Sequence, residues 1–206
     1  MKTQMKFQKI MCLVMLILGA LSAVYCFIYC SGGLANIGLS VQKESGQPAY
    51  DPEFETAQRL YVDVQPFNTA LLILSIVMIV MAAILYITAT NKRRNYYISN
   101  YVATGAVCLV DFGVSIYVLV QNSIFLGRFN AIINDPALNA RYQAVAEEWE
   151  TISYVTSTWN FALGYVVYAL VILGCVGLIL NLVWKRELMK GEKQLLSGKQ
   201  LTEEVA

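Results

Sequence analysis

The chain has 206 residues, of which 57% are hydrophobic and only 14% are charged, whereas about 25% of an ordinary soluble domain is charged. This composition is typical of an integral membrane protein. The net charge of +1 says nothing about nucleic acid, and because no basic groove or aromatic platform is apparent in the sequence, we expect no nucleic-acid partner. The chain contains no histidine, which removes the commonest general base and a usual ligand of zinc and haem.

Four nearly uncharged runs are each long enough to cross a bilayer, which requires about 20 apolar residues. All four prolines of the chain lie between these runs, so no run is interrupted by one. We therefore predict an all-α integral membrane protein whose four transmembrane helices form two tandem hairpins. The predicted helices are 10–30, 68–90, 98–126 and 160–184.

The orientation follows from the basic residues, because short segments rich in Lys and Arg stay in the cytoplasm. Eleven of the 15 Lys and Arg residues lie on one side of the predicted helices, in residues 1–9, 91–97 and 185–206. We therefore predict that the N- and C-termini are cytoplasmic and that loops 31–67 and 127–159 lie outside. The sequence has no N-x-Ser/Thr glycosylation site, which favours a bacterial plasma membrane.

The first run is predicted to be a retained helix, because it continues past the signal-peptide-like site at Ala20–Ser22. One face of this helix carries Gly19 and Ala23, and the fourth helix carries Gly174 and Gly177. Small residues allow membrane helices to approach closely, so these four predict a packing seam. The five cysteines include no C-x-x-C pair, and we interpret them as small apolar residues of such faces.

Each outer loop contains a predicted helix that begins at an Asp-Pro pair, a combination that favours a helix N-terminus. The first helix lies near 52–64 and the second begins at 136. No proline or glycine separates Pro136 from Gly164, so the second helix is expected to continue into the fourth transmembrane helix. We predict a small helical extracytoplasmic cap, whose exposed aromatic residues either pack the two helices together or dock another protein.

The two halves of the chain share a short pattern, an aromatic residue followed by Asn-x-Ala-Leu. The shared asparagines are Asn68 and Asn160 at the outer ends of the second and fourth helices. The pattern indicates either a parallel repeat or a chance match in biased sequence. After the fourth helix, Gly191 and Gly198 predict a short helical extension followed by a flexible cytoplasmic end.

The third predicted helix carries Asp111 near its midpoint, where a carboxylate costs about 2.5–3.5 kcal/mol on insertion scales. Residues three and four apart share one helix face, and around Asp111 this spacing gives a nearly continuous polar stripe. Such a face is not expected to point at lipid. The stripe consists of Thr104, Cys108, Asp111, Ser115, Val118 and Asn122.

Three roles for Asp111 remain open from the sequence. The carboxyl group is protonated or hydrogen-bonded to Ser75, Ser115, Tyr86 or a backbone carbonyl, and only fixes helix packing. Alternatively, it contacts a basic or polar group of another membrane protein, together with the other polar residues of the stripe. In the third role, it is the proton or cation site of a small transporter.

The sequence shows no catalytic motif, so we predict no catalytic residue, metal site or cofactor, and therefore no enzyme. The expected function is a non-enzymatic accessory or structural subunit of a larger membrane complex, for example a transporter assembly. The alternative is a small proton- or cation-coupled transporter or channel-like protein that uses Asp111. The expected partners are membrane lipids and another integral membrane protein, and self-association is left open.

Overall fold

A computed structural model of the chain describes residues 2–31, 55–90, 95–137, 140 and 158–204. These residues form four long helices and, within the described ranges, no β-strand. The helices are α1 (Lys2–Ser31), α2 (Glu55–Thr90), α3 (Asn95–Ile133) and α4 (Trp159–Glu204).

All four helices contain a segment that is long and apolar enough to cross a membrane. These segments are Thr3–Phe27, Val62–Thr88, Asn100–Ile133 and Trp159–Leu188. Membrane-spanning segments are helical because each backbone N–H and C=O group must find a partner where water is absent. Among the described residues, the prediction of an all-α fold with four such helices is confirmed.

The helices pack as a four-helix bundle with an up-down-up-down course. Each helix packs against its neighbours in sequence, and α4 closes the ring against α1. Paired residues show the antiparallel direction, since Ser22 bonds Ser75 near the middle of α1 and α2, whereas Cys26 bonds Asn68 further along. We call the end of the bundle where α1 and α3 begin the termini end. The opposite end, where α2 and α4 begin, is the loop end.

The outer surface of the bundle is apolar. Large hydrophobic side chains project from all four helices, with exposed fractions as high as 77% for Leu109. Polar side chains are instead found in the interior, where Ser75, Asn122 and Asp111 are buried. This distribution suits a lipid environment, because lipid tails are as apolar as the side chains that face them.

The outer helix predicted near 52–64 and the membrane helix predicted at 68–90 form one helix that passes through Pro66. Proline removes a backbone donor, and the carbonyl group four residues earlier, at Val62, loses its partner. Pro66 and Val62 are both exposed near the loop end, where water can bind the free carbonyl. Continuity of the helix is therefore compatible with a proline at this position.

The remaining helix boundaries also differ from the predictions. Helix α4 continues through Gly191 and Gly198 to Glu204, because a helical glycine costs only about 1 kcal/mol and the intervening residues favour helix. At its other end, Thr158 is not helical, and its carbonyl accepts hydrogen bonds from the N–H groups of Phe161 and Ala162. Helix α4 therefore begins at Trp159, and the predicted second outer helix lies largely outside the described residues.

The predicted outer cap lies largely outside the described residues. Its described part follows α3, where the Asp135 carboxylate accepts a hydrogen bond from the Ala137 N–H at 3.0 Å. This is the geometry of a helix N-cap. Nearby, Arg128 of α3 forms an ion pair with Asp63 of α2 at 2.7 Å and joins the two helices at the loop end.

Close packing at Gly164 provides a test of the bundle. A Cβ atom there would overlap the Tyr25 hydroxyl group, whereas one at Gly113 would meet nothing within 4 Å. Gly164→Ala should destabilise the bundle by about 1–3 kcal/mol, as overpacking does. Gly113→Ala should leave stability unchanged or raise it slightly. Thermal unfolding in detergent would compare the two, and equal midpoints would contradict this packing.

Candidate functional site

The stripe predicted on the third helix lies on the face of α3 that points into the bundle. Its six members are all buried; they are Thr104, Cys108, Asp111, Ser115, Val118 and Asn122. Burial inside the bundle removes the polar members from lipid, where they would lack hydrogen-bond partners. The stripe therefore lines the axis of the bundle over most of its length.

Asp111 is 1% exposed, and its Oδ1 atom has no hydrogen-bond partner among the described residues. Of the partners considered from the sequence, Ser115 donates to the backbone carbonyl of Asp111 at 2.7 Å, while Ser75 donates to the carbonyl of Leu71. Tyr86 is exposed on α2. The Oδ1 atom is thus not satisfied by any of these side chains.

The surroundings of Asp111 contain thiols and no opposite charge. Cys108 on α3 and Cys175 on α4 lie within electrostatic range of its carboxyl group, and the Cys108 thiol donates to the Cys175 carbonyl at 3.7 Å. The segments 10–31, 64–91 and 159–184 contain no Asp, Glu, Lys or Arg. A carboxylate here has no counter-charge at its own depth.

The burial of Asp111 also bears on the expected contact with another membrane protein. A side chain that is 1% exposed presents almost no surface to a neighbouring chain. The same applies to Thr104, Ser115 and Asn122. A partner that docks on this bundle would therefore meet other residues.

One turn towards the loop end from Asp111, all four helices contribute a buried hydroxyl group. We call this set the hydroxyl layer: Ser22, Ser75, Ser115 and Tyr168. The Ser22 hydroxyl shares hydrogen bonds with the hydroxyls of Ser75, at 2.6 Å, and Tyr168. These bonds join α1, α2 and α4 across the interior.

A second set of polar contacts lies further towards the loop end. The Tyr25 hydroxyl donates to Asn122 Oδ1, and Asn122 Nδ2 donates to the carbonyl of Phe161 at 2.9 Å. The two asparagines of the short sequence repeat have different surroundings. Asn68 is half-buried and accepts a hydrogen bond from the Cys26 thiol, whereas Asn160 is buried and its Oδ1 atom has no hydrogen-bond partner among the described residues.

The termini end contains a larger network of buried amide side chains around one lysine. We call it the amide cluster: Gln4, Gln8, Asn100, Asn181 and Lys185. Asn100 lies at its centre, because its Oδ1 atom accepts from Gln8 Nε2 at 2.6 Å and from Lys185 Nζ at 2.9 Å. Gln4 Nε2 donates to Asn181 Oδ1 at 3.0 Å.

Lys185 was expected in the cytoplasmic tail, but it is only 8% exposed and belongs to the interior of the bundle. Its ammonium group also lies 5.2 Å from the ring centre of Tyr101. The difference arises because α4 continues past its apolar run and Asn100 offers an acceptor opposite. Asp111 and Lys185 are the two buried residues of a charged type in the described part of the bundle.

Sequence reasoning did not identify the amide cluster or most of the hydroxyl layer. The signal was present as polar pairs four residues apart at the ends of the apolar runs, Gln4 with Gln8 and Asn181 with Lys185. Such pairs share a helix face. They were not recognised because polar residues at the ends of a transmembrane run ordinarily face water or lipid headgroups.

The predicted packing seam consists of residues with different surroundings. Gly19 lies close to Ile79 of α2, while Gly174 and Gly177 lie against Met15 and Met11 of α1. Ala23 is half-buried. Close approach thus occurs on two faces of α1, one towards α2 and one towards α4.

The described residues include no group of three or more His, Cys, Asp or Glu side chains that could hold a metal ion. Cys12, Cys108 and Cys175 are buried as free thiols, and the buried Cys26 thiol donates to Asn68. The chemistry that this interior offers is therefore that of one carboxyl group, one ammonium group, thiols, hydroxyls and amides.

Comparison of the chain with protein-family models, with curated proteins and with solved structures finds no match.

The amide cluster leads to a stability prediction. Asn100→Leu removes the acceptor shared by Gln8 and Lys185, and an unsatisfied buried donor costs about 1–3 kcal/mol, or more when it is charged. The variant should therefore unfold at a lower temperature in detergent. Adding Lys185→Met should restore part of the loss, because both partners are then replaced. Additive losses in the double variant would contradict the bond.

Proposed function

We propose that the protein is a small proton-coupled membrane transporter whose ion site is Asp111. The observation that supports this most is the buried Oδ1 atom without a hydrogen-bond partner. Burial of an unpaired carboxylate within a membrane costs several kcal/mol, and binding a proton or cation removes that charge. Intramembrane acidic residues of this kind commonly serve proton relays and ion pathways.

The depth of Asp111 fits this role. Asp111 lies 11 residues from both Asn100 and Asn122, or about 16 Å along the axis at 1.5 Å per residue. The hydrocarbon core of a bilayer is about 30 Å thick. Asp111 is thus near the middle, equally far from polar groups at both ends of the bundle.

The surroundings of Asp111 favour a proton over a metal cation. Hard cations such as calcium and magnesium take about six or more oxygen ligands, commonly including several carboxylates, whereas Asp111 is the one buried Asp or Glu in the described part of the bundle. The hydroxyl groups of Thr104 and Ser115 donate to backbone carbonyls. A proton needs only the carboxylate itself.

The interior is filled by side chains, which favours a transporter that changes conformation over an open channel. Tyr25, Met15 and Tyr168 are among the largest fully buried side chains. A proton held at Asp111 reaches the two sides in turn only if this packing rearranges. By the distribution of Lys and Arg, the termini end is proposed to face the cytoplasm of a bacterial plasma membrane.

The ion site can be tested with dicyclohexylcarbodiimide, an apolar reagent that reacts with protonated carboxyl groups in apolar surroundings. We expect modification at Asp111 in the purified protein, read as added mass on its peptide. Modification should slow as the pH rises, because the protonated fraction falls about ten-fold per pH unit once most groups are ionised. Sodium or potassium ions should give no protection.

The control for this reaction is Asp63→Asn, since Asp63 is an exposed carboxylate at the loop end. This variant should keep the modification, and Asp111→Asn should lose it. Proton flux in liposomes should likewise be present in the wild type and in Asp63→Asn and absent in Asp111→Asn. Equal flux in all three would refute transport through Asp111, and protection by sodium would indicate a cation site instead.

The second candidate is a non-enzymatic accessory or structural subunit of a larger membrane assembly. The observation that favours it is the exposure of α2. Only 28% of its most apolar 18-residue segment is buried inside the bundle, against 39% of the corresponding segment in each of the other three helices. The most exposed large side chains of α2 inside the predicted membrane region share one face, with spacings of three and four residues. They are Ile73, Ile76, Val80, Ile84 and Ile87.

The subunit candidate can be tested by purification from the native membrane in mild detergent, with mass analysis of what remains bound. Val80→Trp with Ile84→Trp should release a stoichiometric partner, because the larger side chains prevent close packing on α2. Leu109→Trp is the control, since Leu109 is the most exposed large side chain of α3. A protein that purifies without a partner in every case would exclude this candidate.

A further inference from the structure

At the termini end, two cations of α4 lie beside one aromatic side chain of α3. The Lys185 ammonium group is 5.2 Å from the ring centre of Tyr101, and the Arg186 guanidinium group lies within electrostatic range of the Tyr101 hydroxyl group. Lys185 is buried and bonded to Asn100 at 2.9 Å, whereas Arg186 is exposed. The surface here thus presents one accessible cation with a second positive charge buried next to it.

Tyr101 lies at one end of the outer groove between α3 and α4. Residues three and four apart share a helix face, and Gly105 and Cys108 follow Tyr101 at this spacing. Tyr101 contacts Lys185 of α4, and Cys108 donates to an α4 carbonyl. Gly105 is one turn from each, so it also lies beside α4. We call this surface the α3–α4 groove, with Tyr101 at its end and Gly105 one turn further in.

Gly105 leaves the α3–α4 groove open below Tyr101. Its position is exposed, and a Cβ atom there would meet nothing within 4 Å. Further along the same face, Phe112 and Ile116 are 47% and 46% exposed, so the groove continues as an apolar surface. A hydrocarbon chain can lie in it without displacing a side chain.

The cations of this groove lie at the depth of lipid headgroups. Tyr101 is ten residues from Asp111, or about 15 Å along the axis, and the hydrocarbon core extends about 15 Å to each side of its middle. Exposed tryptophans at Trp159 and Trp184 are 25 residues apart on α4, or about 37 Å. Tryptophan is enriched at both membrane–water interfaces. Arg186 is therefore at the level where the phosphate groups of one leaflet begin.

We propose that the α3–α4 groove binds one anionic phospholipid of the leaflet at the termini end. The Arg186 guanidinium group and the Tyr101 hydroxyl group donate hydrogen bonds to phosphate oxygens, and Lys185 adds the second positive charge. An acyl chain of the same lipid passes over Gly105. A guanidinium group suits a phosphate because its planar fork donates two parallel hydrogen bonds.

Charge and surface both select this occupant. The groove opens on the apolar outer face of the bundle, where lipid is the surrounding medium, and its headgroup end is positively charged. The acidic side chain that follows Arg186 is Glu187, whose charge is compensated by Lys190 at 2.8 Å. The site is separate from Asp111, so it does not rest on the proposed ion site.

The test measures lipid binding to the purified full-length protein in a neutral detergent by native mass spectrometry. We expect one phosphatidylglycerol to bind in preference to phosphatidylcholine, whose headgroup has no net charge. Arg186→Gln should weaken this binding about ten-fold or more, the scale of a hydrogen bond to a charged group. The matched control is Lys9→Gln, because Lys9 is an exposed cation of α1, a helix that does not border this groove. It should leave the affinity unchanged.

Two exposed glycines of α3 test the path of the acyl chain. Gly105→Leu fills the groove and should also weaken phosphatidylglycerol binding. Gly113→Leu is its control, because a Cβ atom at Gly113 likewise meets nothing within 4 Å. Gly113 is one turn from Tyr117, which contacts Phe67 of α2, so it lies on the other side of α3 and should have no effect. Thermal unfolding without lipid checks that all variants are folded.

The outcomes separate this site from its alternatives. Equal binding of the two lipids, or an affinity unchanged in Arg186→Gln, would overturn the proposal. Displacement of the lipid by inorganic phosphate, with no effect of Gly105→Leu, would indicate a site for the free ion and overturn the lipid as its ligand. Asp111→Asn should bind phosphatidylglycerol as the wild type does, so failure of the proposed ion site leaves this result intact.

Discussion

Polar side chains inside a bilayer have no water to bind, so each must find a partner within the protein or carry a cost of several kcal/mol. The bundle meets this constraint by gathering its polar groups into sets that join several helices. The amide cluster connects α1, α3 and α4 through Asn100, and Ser22 connects α1 with α2 and α4. The bonds that satisfy these groups also determine which face of each helix turns inward.

Asp111 lies between these two sets, and its side-chain Oδ1 atom does not share their hydrogen bonds. The nearest hydroxyl groups of its own helix, on Thr104 and Ser115, donate to backbone carbonyls, and the titratable side chains near it on α3 and α4 are the thiols of Cys108 and Cys175. The fold thus places a carboxyl group at mid-depth without a fixed partner. Under the proposed function, a proton is the smallest species that removes its charge.

The two candidate functions depend on different parts of the molecule. Proton transport uses the interior around Asp111, whereas assembly with another membrane protein uses lipid-facing residues such as Val80 and Ile84 on α2. A bundle that binds a proton at its centre can also be held in a larger complex, because neither role requires residues of the other. Variants on the two surfaces therefore separate the roles.

The sequence by itself determined the four apolar helices and the inward face of α3, because length, hydropathy and a polar stripe around Asp111 are properties of one helix at a time. Only the tertiary structure decided that Lys185 is buried, since its acceptor on Asn100 is 85 residues away. The same holds for Tyr168 and Ser22, which meet across 146 residues. A polar residue in or beside an apolar run turns inward only where another helix presents a matching group, and that depends on how the helices pack.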